Sequence, residues 1–205
     1  MITEEMLQNL RHSISLRLSE RRYLHTLGVE EMATFIAAHC LPSKVCEASA
    51  AALLHDVTKE IAIDDKIEML KSEDISSEFR ESIPNEVLHS FTAPVVVKTD
   101  YPDFAGEEIL SAIRKHTIGA ENMSTLDKII FLADFIEKSR TYPDSVNTRK
   151  FVLDSLKPSK VNENIKVLNR ACVMEIDSTI AHLTRRGAKI NDATFLAKKS
   201  LISNI

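Results

Sequence analysis

Two apolar stripes in this chain end in a histidine, and both have helical spacing. Ala48, Ala51, Ala52 and His55 recur at i, i+3, i+4 and i+7, and so do Ile109, Ala112, Ile113 and His116. A period of 3.6 puts each set on one helix face, so each imidazole lies on the side turned to the core. Small residues beneath His55 let a neighbouring helix come close. Asp56 follows directly, and burying an imidazole beside a carboxylate costs several kcal/mol unless a partner offsets it. One such partner is a divalent cation, held by neutral nitrogen and ionised oxygen. The plain alternative is a hydrogen-bonded His–Asp pair packed at a helix end.

The rest of the chain reads as helix as well. Met6, Leu10, Ile14 and Leu18 mark a first amphipathic helix, and Ser19 can cap a second that carries Arg22 and His25. Pro42-Ser43 breaks the chain and offers Ser43 as cap of the His55 helix. Asp64-Asp65 starts a short helix, and Asn85 can cap one that carries His89, shortened or kinked by Pro94. Gly119 is a helix stop. Ser124 caps the next helix, on which Leu126, Ile130, Ala133 and Asp134 share a face, a second unexplained carboxylate on an apolar side. A long helix runs from Asn162 to about Arg186, ended by Gly187, and Asp192 opens a short terminal one. Residues 71–84 read as a polar surface connection, and 145–160 alternate polar and apolar positions around Pro158. No segment alternates convincingly enough to be a strand. The expectation is one all-α domain of roughly eight to ten helices spanning 1–205, with a core over about 19–143 and a C-terminal helical region over about 145–205.

Composition removes several function classes. A formal net charge of −4 argues against a general nucleic-acid binder. No apolar run approaches the ~20 residues a membrane span needs, and the acidic start Met1-Ile2-Thr3-Glu4-Glu5 lacks a signal peptide's basic and apolar regions. Cys40, Cys46 and Cys172 are an odd count with no C-x-x-C spacing. They read as reduced thiols of a cytoplasmic protein and offer no catalytic nucleophile. No glycine-rich phosphate loop is present, so any phosphate must be held by side chains and metal.

Four ligand-type residues now stand in the order His25, His55-Asp56, Asp134, and the words around them are specific. Arg22-x-x-His25-Thr26-Leu27-Gly28-Val29 is followed by Leu53-Leu54-His55-Asp56-x-x-Lys59, then Leu88-His89, then Ile113-Arg114-x-His116-Thr117-x-Gly119. Last comes Asn122-Met123-Ser124-x-Leu126-x-Lys128-Ile129-Ile130-x-Leu132-Ala133-Asp134-x-Ile136-Glu137-x-x-Arg140. This series resembles the HD superfamily of metal-dependent phosphohydrolases, and within it the bacterial symmetrical diadenosine tetraphosphate hydrolases of the HD type. The resemblance is strong from about Ser19 to Pro143 and looser over Thr179 to Asp192. Ser90, Thr58 and Glu60 depart from it, standing where glycine, alanine and aspartate are expected.

The resemblance implies an all-α HD fold and a divalent metal held by His25, His55, Asp56 and Asp134. Iron is the ion it implies, although the residue types suit manganese, nickel or zinc almost equally. His89 and His116 have two roles open to them, ligands of a second ion bridged by Asp56 or contacts to phosphate; one ion is favoured over two. Arg22, Lys59 and Arg140 lie near the ligands where polyphosphate charge must be neutralised, with Asp56 and Lys59 carrying the catalytic roles. Thr179 and Glu137 are substrate contacts by resemblance alone. Asp127, about two turns before Asp134 on nearly the same face, has a supporting or general-acid role open to it but reads first as an exposed helix-start carboxylate. His12, His39 and His182 read as surface or packing residues. The implied reaction is symmetrical cleavage of diadenosine tetraphosphate to two ADP, with nucleotide as the partner and a homodimer left open. Another HD-type nucleotidase, a non-catalytic nucleotide sensor and a purely structural helical protein remain alternatives.

Overall fold

Side-chain caps set four of the ten helix starts among the described residues. In a computed structural model, which describes residues 1–71 and 83–205, the side chains of Thr3, Ser19, Ser124 and Asn191 each accept a backbone N–H of the helix that follows. These contacts satisfy donors that a helix start leaves orphaned. The described residues form ten α-helices and no strand. They are α1 (Glu4–Arg17), α2 (Glu20–Cys40), α3 (Val45–Leu54), α4 (Ile63–Lys71), α5 (Leu88–Asp100), α6 (Glu107–Lys115), α7 (Thr125–Ile136), α8 (Pro143–Ser155), α9 (Val161–Arg185) and α10 (Asp192–Ile202). None is long and apolar enough to cross a membrane.

Helix α3 is the interior element. Every residue from Ala48 to Leu54 is buried, as a helix apolar on all sides requires. It packs against α1, α2, α6 and α7, and its alanines allow that crowding. Helix α7 is the second hub, touching α2, α3, α6, α8 and α9. One contiguous cluster of buried apolar side chains runs from Leu7 in α1 to Leu201 in α10, so residues 145–205 share the core built by the helices before them. A buried carboxylate, Glu30, ties three helices together. It accepts from Arg11 of α1 at 2.7 Å and from Ser49 of α3 at 2.5 Å.

Several local expectations are corrected. Ser43 lies in a 3-10 turn, Pro42–Lys44, and α3 continues from it with Lys44 at the cap position and no side-chain cap. The turn's own backbone bonds replace that cap. Asn85 likewise opens a 3-10 turn that runs into α5 rather than capping it. Helix α5 continues through Pro94 to Asp100, so the proline does not shorten it. The alternating stretch after Pro143 is helix α8, with proline at a helix start where its missing N–H costs nothing. Gly119 and Gly187 end their helices with φ of +68° and +63°. Most of the polar connection expected over 71–84 lies outside the described residues.

Candidate metal centre

Five helices deliver side chains to one point. Helix α2 supplies Arg22 and His25, the end of α3 supplies His55 and Asp56, α5 supplies His89, the end of α6 supplies His116, and α7 supplies Asp134. His55, Asp56 and His116 stand just past the last regular residue of their helices rather than within them. That position has a consequence. Each histidine's Nδ1 donates to a carbonyl freed by its own last turn, His55 to Ala52 and His116 to Ile113, both at 2.6 Å. A carbonyl only accepts, so Nδ1 carries the proton in both rings and Nε2 keeps its lone pair for the centre.

Asp56 is the middle of the cluster. Its Oδ2 lies 3.5 Å from His55 Nε2 and 3.8 Å from His25 Nε2, and Arg22 Nη1 donates to it at 2.8 Å. Its Oδ1 lies 3.2 Å from His89 Nε2 and 3.8 Å from His116 Nε2. His25 Nε2 stands 3.1 Å from Asp134 Oδ1, and the Nε2 atoms of His89 and His116 are 3.1 Å apart. Among the described residues, His25, His55 and Asp134 offer donor atoms within 4.8 Å of one another, and so do His55, Asp56 and His116.

The site fits a divalent cation on its own chemistry. His25 Nε2, His55 Nε2 and Asp56 Oδ1 are buried atoms with no hydrogen-bond partner, a costly state that metal coordination relieves. The donors are nitrogen and oxygen with no thiolate, which leaves the ion's identity open among borderline and harder metals.

Electrostatics points the same way. Burial lowers the basicity of His25, but Asp134 and Glu137 outweigh it and raise its pKa to about 9, so the pocket between them favours positive charge. Burial pushes His55 down to about 4, and burial with His116 nearby pushes His89 down to about 2, keeping both rings neutral. Burial opposes ionisation of Asp56 and Asp134, but the cations and imidazoles facing them hold both carboxyls below their usual range.

The supporting groups differ from expectation. Glu137, expected to touch substrate, is fully buried; it accepts from His25 Nδ1 at 3.1 Å and from Ser139 N at 2.6 Å. It orients the His25 ring, as carboxylates behind metal-binding histidines commonly do. Asp127 is buried, not exposed. It closes a capping box with Ser124 and accepts from Ser111 and Lys115, both at 2.8 Å. Arg140 donates to Asp134 Oδ1 at 2.6 Å and to its carbonyl at 3.0 Å, at the edge of the cluster. Lys59 Nζ lies 3.1 Å from His89 Nε2.

Of the three departures from the resemblance, Thr58 and Ser90 are buried and Glu60 is exposed. Thr58 donates to the His89 carbonyl at 3.1 Å, Ser90 to the Val87 carbonyl at 2.8 Å, and Glu60 accepts from Ser19 N at 2.7 Å.

A cavity of about 490 Å³ opens beside the cluster, between α7 and α9. Asp134, His116 and Arg140 form the side nearest the cluster, and Glu175, Thr179 and His182 lie on α9 opposite. Thr179 is thus brought to the site. His182, expected to be a plain surface or packing residue, lines it as well. Glu175 was missed, although it lies three residues after Cys172 and seven after Leu168, on the apolar side of α9, the same signal that marks Asp134. His12 stays outside, and His39 bonds the Phe35 carbonyl of its own helix at 2.9 Å.

Comparison with known proteins places this geometry. The HD domain family model matches residues 22–139, which holds every side chain of the cluster. The chain is 28% identical over 91% of its length to a symmetrical bis(5'-nucleosyl)-tetraphosphatase of Bacillus subtilis, covering 92% of that protein. It is 34% identical over 90% of its length to one of Halalkalibacterium halodurans, covering 91% of it. A predicted HD superfamily hydrolase of Clostridium acetobutylicum, solved by crystallography, superposes over the full length of both chains with a TM-score of 0.79 and 27% identity. On that match and on a helical architecture shared from end to end, this chain belongs to the HD domain family.

Proposed function

We propose that this chain is a divalent-metal-dependent phosphohydrolase that cleaves dinucleoside polyphosphates, with symmetrical cleavage of diadenosine tetraphosphate to two ADP as its reaction. The observation that carries the reading is the convergence of His25, His55 and Asp134 around Asp56, with buried unpartnered donor atoms, at the foot of a cavity that also holds Arg140. His25, His55, Asp56 and Asp134 hold the ion, with iron the first candidate. When bound, a divalent ion supplies Lewis acidity and activates water for attack at phosphorus. The chain's own groups do the rest. Asp56 holds the ligand set together and keeps its charge; Arg22, Lys59 and Arg140 offset charge on the phosphate oxygens as it develops. Thr179 lies where a nucleoside would extend along α9. The unpaired cysteines suit a reducing, cytoplasmic setting.

A second reading concerns the ion count. The 3.1 and 3.2 Å separations that link His89 Nε2 to His116 Nε2 and to Asp56 Oδ1 suit a second ion bridged by Asp56. The names of the two relatives, symmetrical bis(5'-nucleosyl)-tetraphosphatases, support a dinucleoside tetraphosphate as substrate. Profiling mono-, di- and dinucleoside polyphosphates with metal analysis tests the whole reading. Hydrolysis of diadenosine tetraphosphate to ADP, lost together with the metal in Asp56→Ala while helicity stays, is the expected result. Preference for a mononucleotide would move the chain to another HD-type nucleotidase, and binding without turnover would make it a sensor.

A further inference from the structure

Helix α9 carries a buried acid that the metal centre does not use. Glu175 is only 7% exposed, its Oε2 has no hydrogen-bond partner, and the side chain lines the 490 Å³ cavity next to Asp134 and Arg140. A buried polar atom without a partner costs on the order of 1–3 kcal/mol. Leu or Met at this position would continue the apolar face of α9 without that cost. Glu175 therefore destabilises the protein alone, and the cavity it faces is where its missing partner can sit.

We propose that Glu175 is a specificity-determining residue, whose carboxyl hydrogen-bonds directly to a nucleotide lying in the cavity between α7 and α9. The inference rests on the nucleotide reading given above and adds a contact to it. Burial, reinforced by the charge of Asp134, holds the carboxyl well above its usual range, and Arg140 offsets only part of this. Burial in the cavity thus favours the protonated form of Glu175. A neutral carboxyl differs from a carboxylate in the one way that matters beside polyphosphate: it donates a hydrogen bond and adds no negative charge. Its complement on the ligand is an acceptor, either a ring nitrogen of the base or a phosphate oxygen. Thr179 stands one turn further along the same face of α9, so an occupant reaching from Asp134 along that helix passes Glu175 first.

Two variants test the donor. Glu175→Leu keeps the volume and removes the polar atom, so it folds and melts no lower than the parent. Glu175→Gln keeps a neutral donor in the same place. Parent and variants, each with its metal content measured, are titrated calorimetrically with ADP and with inorganic pyrophosphate. The expected result is ADP binding weakened roughly five- to twentyfold in Glu175→Leu and within about threefold of the parent in Glu175→Gln. Weakening for ADP alone places the contact on the nucleoside, and weakening for both ligands places it on phosphate; either supports the proposal. Unchanged binding of both ligands by Glu175→Leu overturns it, and so does a Glu175→Gln variant as weak as Glu175→Leu. A parent that binds neither ligand sinks the nucleotide reading itself and this inference with it, so the two failures are distinguishable.

Discussion

A β-carbon at Gly28 would lie 2.7 Å from Oε2 of Glu137. Glycine therefore stands inside α2, where it is a poor helix former, because a carboxylate from the end of α7 occupies the space a side chain would take. That carboxylate accepts the Nδ1 proton of His25, one turn earlier on α2. Gly28 thus leaves room for the carboxylate that orients His25, without touching that ring itself.

Gly28→Ala tests this chain of contacts. Helix propensity gains roughly 1 kcal/mol, but overpacking costs about 1–3 kcal/mol, so the net stability change is small or unfavourable. The larger effect is on the metal. Displacing Glu137 frees the His25 ring, and metal affinity falls roughly ten- to hundredfold. Metal titration of the variant checks this; unchanged affinity would remove Glu137 from its positioning role.

The number of ions separates two uses of His89 and His116. With one ion, parent metal content is near one per chain, and His89→Ala and His116→Ala keep it while hydrolysis falls about tenfold or more. Metal analysis beside a rate assay decides the point. A parent stoichiometry near two that drops to one in both variants would overturn the single-ion assignment.

Arg149 of α8 clips the turn that carries Glu137 and Arg140. Its guanidinium donates to the carbonyls of Ile136 at 3.0 Å, Glu137 at 2.6 Å and Arg140 at 3.2 Å. Removing three charged hydrogen bonds at once leaves those carbonyls dependent on water. Arg149→Ala should cost about 2–4 kcal/mol by denaturant unfolding and raise KM through a loosened Arg140. Arg149→Lys, which lacks the planar fork, should recover only part of the loss. A variant as stable as the parent would show that the clip adds nothing.

The thiols differ in burial, and labelling reads the difference. Burial pushes Cys40 up to about 12 and holds Cys172 well above the usual thiol range, so neither is a nucleophile in the folded protein. Cys46 is half-buried. One thiol should react under native conditions and three in denaturant, counted by mass. Rapid modification of Cys172 in the native state would contradict the packing of α9 on α7.

The sequence alone determined what is local and periodic. Helix type, the stripes that end in His55 and His116, the Ser19 and Ser124 caps and the glycine stops all follow from spacing and backbone preference, and the structure agrees with them. The unexplained acid at Asp134 was legible as a charge on an apolar face, and Glu175 carried the same mark unread. Tertiary structure decided the rest, because it depends on contacts between residues far apart in the chain. Glu137 turned from a substrate contact into a buried support for His25, 112 positions away. Asp127, exposed in a lone helix, is buried because α6 brings Ser111 and Lys115 onto it. The tautomers of His55 and His116 could be fixed only once the helices were seen to end one residue before each ring, freeing a carbonyl for Nδ1 and leaving Nε2 for the centre.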